Sequence, residues 1–202
     1  MILYSTPTSP FGRKVKIAAL VHGLSAGVTV IKGDPWSADD HLRRVNPLGK
    51  MPVLIPDHGA AIYDSGVILD YFDSLLDRPR LFPVETNIET RTIHALCDGL
   101  IEAGLLITYE KQRRPEAFRF EPWIEHQLGK IRRGLSVAAL SPPDACTANA
   151  ASITLACALG YFDWRKQIDW RAEYPALVDW LDAFRASCAA FDATSADHTV
   201  NP

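Results

Sequence analysis

The sequence predicts two domains: an α/β domain over residues 1–77 and an all-helical domain over 84–202, joined by a linker at 78–83. In the first part, short β-branched segments alternate with helical patterns, whereas after residue 84 apolar residues recur only at helical spacing. The linker contains two prolines, which disfavour regular structure. The chain has 202 residues, 48% of them hydrophobic, so it can bury a sizeable core.

The first domain follows the order β-α-β-α-β-β-α, which predicts a mixed four-stranded sheet with right-handed crossovers. The predicted strands share β-branched or aromatic residues and cover 2–4, 28–31, 53–55 and 61–63. The last two are expected to form a hairpin. Each predicted helix follows a capping sequence: Ser9 before Pro10, the capping-box sequence at 37–40, and Asp64-Ser65. The first helix is expected to end at Gly23. The third is expected to bury an apolar face made by Val67, Ile68, Tyr71, Phe72, Leu75 and Leu76.

The second domain is predicted to be a helical bundle. A long helix should end before Pro115, and a second should run from about Pro122 to Leu140. The segment 153–162 is apolar nearly all round, which predicts a helix buried in the middle of the bundle, with Asn149 as its N-cap. Pro175 opens a last amphipathic helix. The tail from residue 189 has little periodicity and is expected to be loose.

Composition excludes several classes of function. A net charge of -3 is too weak to favour nucleic acid or an anionic membrane as a partner. The sequence shows no signal segment and no long apolar run, so we expect a cytoplasmic location. The four cysteines lack the spacing of a metal site, which predicts buried free thiols rather than disulfides; they are Cys97, Cys146, Cys157 and Cys188.

Candidate ligand-binding groups begin with the stretch Asn46-Pro47-Leu48-Gly49-Lys50-Met51-Pro52-Val53-Leu54. Proline suits the first position of a strand because it has no N–H to donate. Val53 would then be the first residue there with both a donor and an acceptor for a peptide-like ligand. An ordinary entry from a loop into a strand is the alternative. The residues alone favour a trans Met51–Pro52 bond.

Two helix N-termini in the first domain offer further anchors. Ser9 and the pair Asp64-Ser65 lie where free N–H groups and the helix dipole favour an anion. Lys50 could meet a second carboxylate at the far end. The pattern therefore predicts an extended, peptide-like ligand with a carboxylate at each end.

Residues 46–54, the sequence Tyr63-Asp64-Ser65 and the all-helical half together resemble a glutathione transferase, and the resemblance covers nearly the whole chain. Residues 8–14 resemble the bacterial members that keep Ser-Pro-Phe at the head of the first helix. The resemblance implies a thioredoxin-like N-terminal domain and a cis Met51–Pro52 bond. It implies that Val53 pairs with the cysteinyl backbone of glutathione and that Asp64 and Ser65 hold the γ-glutamyl end. It also implies glutathione as co-substrate, no metal, a small electrophile as partner, a homodimer, and a role in detoxification.

The resemblance places Ser9 beside the glutathione thiol. A thiol with a pKa of about 8.5 is only a few per cent thiolate at pH 7. One hydrogen bond from Ser9 to the thiolate, worth about 1.5–3 kcal/mol, would lower this pKa by about one to two units. Ser9 as a helix cap alone is the alternative, and Tyr4, Thr6 and Thr8 are rival donors. The first half contains no cysteine, which argues against chemistry through a mixed disulfide.

The sequence also leaves the use of the fold open. A non-catalytic glutathione-binding or assembly module would keep the same site, as would a glutathione-dependent peroxidase or lyase. Asp98 is expected either to reach the ligand of a partner subunit or to be a solvated acid. Trp36, Ile107 and Tyr109 either line an electrophile pocket or pack. The family usually has an acid three residues after the cap of its buried helix, whereas this chain has Ser152, which predicts a weaker cap.

Overall fold

The computed structural model describes residues 1–34, 36, 41–78 and 80–195. The capping box predicted at 37–40 lies outside this part of the chain. None of the helices in these ranges combines the length and the apolar character that crossing a bilayer requires. The same ranges contain no group of histidine, cysteine and acidic side chains arranged to hold a metal ion.

A three-stranded sheet forms the centre of the first half. Its strands are β1, Ile2–Ser5; β2, Thr29–Lys32; and β3, Val53–Ile55, in the spatial order β2-β1-β3. β1 is parallel to β2 and antiparallel to β3. The fourth strand predicted at 61–63 is wrong, because only Ile62 pairs with Leu54 in an isolated bridge. The chain turns into the next helix at Asp64, which leaves too few residues for a strand.

Three helices accompany this sheet: α1, Pro10–Val21; α2, His41–Val45; and α3, Ser65–Ser74. The predicted cap of α1 is confirmed, since Ser9 Oγ accepts the Gly12 N–H at 3.1 Å. Gly23 follows this helix with φ +70°, a conformation that favours glycine. The face predicted to be buried on α3 is partly wrong, because Val67 and Leu75 are exposed.

The regular elements of the second half are helices, with no strand among its described residues. Its helices are α4, Asn87–Arg113; α5, Glu121–Leu140; α6, Ala150–Arg165; α7, Trp170–Glu173; α8, Pro175–Ser187; and α9, Ala189–Ala193. α6 is buried along most of its length and packs against α4 and α1. Its capping box is complete in both directions, because Asn149 and Ser152 each accept the other's backbone N–H at 3.0 Å.

Residues 189–195, the described part of the tail, are more ordered than the sequence predicts. α9 packs against α1 and α8, and Phe191 is buried beside the ring of Phe184. Arg13 of α1 donates to the Phe191 carbonyl at 2.6 Å and lies over its ring. The contact with Arg13 is remote in sequence, so the periodicity of the tail could not reveal it.

The predicted linker is tied to both halves. Asp73 accepts hydrogen bonds from the backbone N–H groups of Arg80, Leu81 and Phe82. The Leu81 carbonyl in turn accepts the N–H of Ala150, at the start of α6. One continuous hydrophobic core contains residues of both halves. The linker is therefore anchored, and the domain limits of 1–77 and 84–202 stay a prediction.

The cysteines are free thiols. Cys97, Cys157 and Cys188 are buried as predicted, whereas Cys146 is exposed. Burial raises the pKa of the Cys157 thiol to about 11, so it remains protonated at neutral pH.

Candidate functional site

The predicted site residues come from elements that meet at one edge of the sheet. β1 ends at Ser5 and leads to Ser9, and the antiparallel β3 begins at Val53 beside the end of β1. The segment at Ile62 runs antiparallel to β3 and returns to the same end, where Asp64 opens α3. The topology therefore brings the N-termini of α1 and α3 and the start of β3 together.

Ser9 can cap its helix and still donate a hydrogen bond. Its Oγ accepts the Gly12 N–H, which uses one of the two lone pairs of the hydroxyl. The hydroxyl hydrogen remains available to a ligand. Cap and thiolate donor are therefore compatible roles for this side chain. Its rival Tyr4 is buried in a small cluster beside Leu42 and Val53, in agreement with packing.

The Val53 backbone belongs to the sheet. Val53 faces Tyr4 in the register of β1 and β3, and the neighbouring Leu54 directs its N–H and its C=O to Ile62 on the opposite side. Because backbone groups alternate sides along a strand, those of Val53 point toward Tyr4. The register thus assigns both groups to β1, which differs from the ligand role predicted for Val53.

Among the residues that the structure describes, the one with an unpaired backbone N–H and C=O near the start of β3 is Met51 rather than Val53. The Met51–Pro52 bond is cis, as the resemblance implies. Within the described chain, neither the N–H nor the C=O of Met51 has a backbone partner. Its side chain packs on Gly33, where an added Cβ would clash with the sulfur. Met51 therefore contacts Gly33 through its side chain, while its backbone donor and acceptor have no backbone partner among the described residues.

The N-terminus of α3 is prepared for an anion. Asp64 is the N-cap, and its Oδ1 accepts the Gly66 N–H at 3.0 Å. Asp64 is exposed, whereas Ser65, the first residue of the helix, is nearly buried. An exposed carboxylate beside free helix N–H groups suits a ligand that carries both an ammonium and a carboxylate, as the γ-glutamyl residue does.

Lys50 lies on the surface at the end of a shaped loop. The buried Asn46 donates to the Lys50 carbonyl at 2.9 Å and accepts the Leu48 N–H at 3.1 Å. Asn46 thus fixes the loop that leads to Met51, while the Lys50 side chain remains exposed. The loop places a cation beside the free backbone pair.

A buried ion cluster behind these anchors was not predicted. Lys14, in the middle of α1, is fully buried, and its Nζ donates to Asp98 Oδ1 at 2.5 Å and Oδ2 at 2.8 Å. The same Nζ lies 3.0 Å from His94 Nε2. Asp98 is therefore an ion-pair partner within its own chain, which neither alternative from the sequence included. The available signal was a lysine between the apolar positions of the α1 stripe.

A cavity of about 330 Å³ lies beside Ser9, between the start of α1 and α6. Its walls are lined chiefly by Thr8, Ser9, Arg13, Tyr161, Trp164 and Lys166. The residues named as pocket candidates from the sequence lie elsewhere: Ile107 is in the core, and Trp36 contacts Tyr109 edge to face. The described chain thus has a cavity directly beside Ser9.

Comparisons with known proteins identify the family of the chain. A family model described as the glutathione S-transferase N-terminal domain matches residues 3–80. The uncharacterized GST-like protein YibF of Escherichia coli (strain K12) is 35% identical over 185 residues, which cover 88% of this chain and 90% of that protein.

A crystal structure of a glutathione transferase family member from Pseudomonas fluorescens Pf-5 with bound glutathione superposes with a TM-score of 0.89. It is 34% identical and covers 96% of this chain and 98% of that chain. A second structure from that source, with bound S-(propanoic acid)-glutathione, has a TM-score of 0.80 at 34% identity and covers 93% and 98% of the two chains. The fold and these matches show that the chain belongs to the glutathione transferase family.

Proposed function

We propose that the protein is a glutathione transferase that adds the thiolate of glutathione to an electrophilic carbon, with Ser9 as the donor to the sulfur. One observation carries the proposal: the Ser9 hydroxyl caps α1 through a lone pair, keeps its hydrogen free, and lines the cavity beside it. A neutral donor at a helix N-terminus stabilises a negative sulfur without acting as a base.

Glutathione would lie along the shared edge of the sheet. Its cysteinyl backbone would pair with Met51 rather than Val53, because Val53 is bonded to β1. Its γ-glutamyl end would lie at Asp64 and Ser65, and its glycyl carboxylate near Lys50. The glutathione bound by the relative from Pseudomonas fluorescens supports a site for this ligand in the same fold.

The reaction requires only the two reactants. The thiol proton leaves to solvent, and the thiolate lone pair forms the new sulfur–carbon bond. The electrophile either releases a leaving group with its electron pair or, if conjugated, accepts the pair and then a proton. The S-(propanoic acid)-glutathione bound by the relative is a thioether of this kind, which makes acrylate a suitable first electrophile to test.

The decisive experiment compares wild type with Ser9→Ala. Ultraviolet absorbance of the bound thiolate is titrated against pH, and turnover is measured with a panel of electrophiles that includes acrylate. We expect Ser9→Ala to raise the pKa of the bound thiol by about one to two units and to lower turnover by about 10- to 100-fold. The lost cap should cost only about 1 kcal/mol of stability. Thr8→Ala is the matched comparison, because Thr8 is exposed, lines the same cavity and is a rival donor; an unchanged thiol pKa in this variant would assign the shift to Ser9.

An unchanged thiol pKa in Ser9→Ala would reject the donor role. The alternative, a non-catalytic binding or assembly module, predicts glutathione binding without turnover of any electrophile by wild type. A peroxidase or lyase would keep the thiol pKa shift but act on a peroxide or a thioether instead. The homodimer is a further prediction, which sedimentation of the purified protein would test.

A further inference from the structure

The buried cluster fixes the protonation of His94. An ammonium group has three hydrogens to donate and no lone pair to accept. Lys14 Nζ lies within hydrogen-bond distance of both Asp98 oxygens and of His94 Nε2. Nε2 also lies 3.3 Å from Asp98 Oδ2, to which it could donate. The contact with Lys14 is shorter, at 3.0 Å, and an ammonium cannot accept, so we assign Nε2 as the acceptor and the single ring hydrogen of neutral His94 to Nδ1.

Burial keeps this ring neutral. Desolvation, followed by the positive charge of Lys14, lowers the pKa of His94 to about 4, although Asp98 and Asp64 oppose the shift; Arg91 adds to it slightly. At neutral pH the imidazole is thus one donor and one acceptor, and the acceptor is already occupied.

His94 packs against the first turn of α3. A Cβ added to Gly66 would lie 3.4 Å from His94 Cε1 and 3.4 Å from Asp64 Oδ1, so the ring and the cap carboxylate flank the same residue. The His94 side chain keeps 10% of its surface exposed. Among the described residues, none accepts a hydrogen bond from its Nδ1. An oriented donor without a protein partner therefore lies beside the turn that would bind the γ-glutamyl residue.

We propose that His94 donates its Nδ1 hydrogen to the γ-glutamyl carboxylate of glutathione, and that Lys14 is the positioning residue that selects this tautomer. The inference rests on the proposed function only for the placement of glutathione at α3. The role of His94 concerns binding and requires no turnover, so this inference and the proposed transferase activity can fail separately.

The test measures binding by calorimetry for wild type, His94→Gln and His94→Asn. Asparagine can present its amide nitrogen near the position of Nδ1, whereas the longer glutamine places its amide near Nε2. We expect His94→Gln to bind glutathione about 10- to 100-fold more weakly and His94→Asn to retain most of the affinity. Cysteinylglycine, which lacks the γ-glutamyl residue, should bind wild type and His94→Gln equally.

Equal losses for both ligands would show a merely structural role and overturn the inference, as would unchanged glutathione affinity in His94→Gln. If the variants do not fold, nitrogen chemical shifts of His94 in the wild type decide. They should show the Nδ1–H tautomer at pH 7 and a shift of that hydrogen when glutathione is added; the other tautomer, or no response, overturns the proposal. Wild type that fails to bind glutathione refutes both proposals, whereas binding without turnover refutes the transferase activity alone.

Discussion

Replacing Asp73 with alanine should destabilise the protein by about 3–5 kcal/mol, although this residue is far from the proposed chemistry. Asp73 lies at the end of α3 and is only 6% exposed. Its carboxylate accepts the N–H groups of Arg80, Leu81 and Phe82 at 2.8–3.0 Å, and His22 Nε2 lies 3.0 Å from it. Asp73 therefore joins the C-terminal end of α3 to the linker by hydrogen bonds.

The size of this destabilisation depends on which of the three backbone N–H groups can be hydrogen-bonded by water once the carboxylate is removed. Arg80 is exposed, so its N–H can be solvated at little cost. Leu81 and Phe82 are buried, and each buried N–H without an acceptor costs about 1–3 kcal/mol. Loss of the contact with His22, which is also shielded from solvent, adds to this. The sum is a large part of the 5–15 kcal/mol typical of a folded domain.

Thermal unfolding monitored by circular dichroism would measure the effect. For a chain of this length, each kcal/mol lowers Tm by about 2–4 °C, so Asp73→Ala should unfold about 10 °C below wild type. The control is Asp70→Ala, which removes a half-exposed ion pair with Arg91 and should cost less than about 1 kcal/mol. A Tm for Asp73→Ala within 2 °C of the control would refute the reasoning.

Three other substitutions test packing, protonation and capping. Gly104→Ala should lower the free energy of unfolding, measured in urea, by about 1–2 kcal/mol, because the added Cβ would lie 2.9 Å from Phe162 Cε1. Gly99→Ala on the same helix is the control: its Cβ would have no neighbour within 4 Å, so the change should be neutral or stabilising. Equal effects of the two substitutions would contradict the packing argument. His94 has a pKa of about 4 in the folded protein and 6.5 in the unfolded reference state, so the unfolded chain binds the proton first as the pH falls. The free energy of unfolding should therefore fall by up to about 3 kcal/mol between pH 6.5 and pH 4. His94→Gln should remove this part of the pH dependence, and a variant with the same pH dependence as wild type would contradict the argument. Asn149→Ala breaks the capping box of α6 and should lower the free energy of unfolding by about 1–2 kcal/mol, a loss that would be absent if the cap were as weak as its sequence predicts.

Much of the fold could be predicted because its signals are local. Ser9 and Asn149 cap their helices through bonds to residues three positions away, and Pro175 opens its helix as expected. The predictions that failed concern how far an element extends and which of its sides is covered. The segment at Ile62 enters α3 after a single bridge, and the side of α3 at Val67 is exposed; periodicity indicates neither.

In the candidate site, too, the residues indicated by local sequence could be predicted, whereas those that depend on tertiary contacts could not. Ser9 and Asp64 lie at helix N-termini, where their sequence placed them. The proposal of Met51 rather than Val53 as the residue that pairs with glutathione depends on which side of β3 the Val53 backbone faces, and only the register with β1 decides this. Lys14 is the clearest omission, because lysine is rarely fully buried and its partners lie 80 or more residues away.

The cluster around Lys14 gives the helical half a part in the geometry of the first domain. Lys14 belongs to α1, whose N-cap is Ser9; Asp98 and His94 belong to α4; and His94 packs on the first turn of α3 at Gly66. A buried charge pair holds its partners closely, because separating them leaves a charge without compensation. α1 and α3 also pack directly on each other, so α4 adds a second connection between the helix that carries the proposed thiolate donor and the helix that carries the proposed γ-glutamyl anchor.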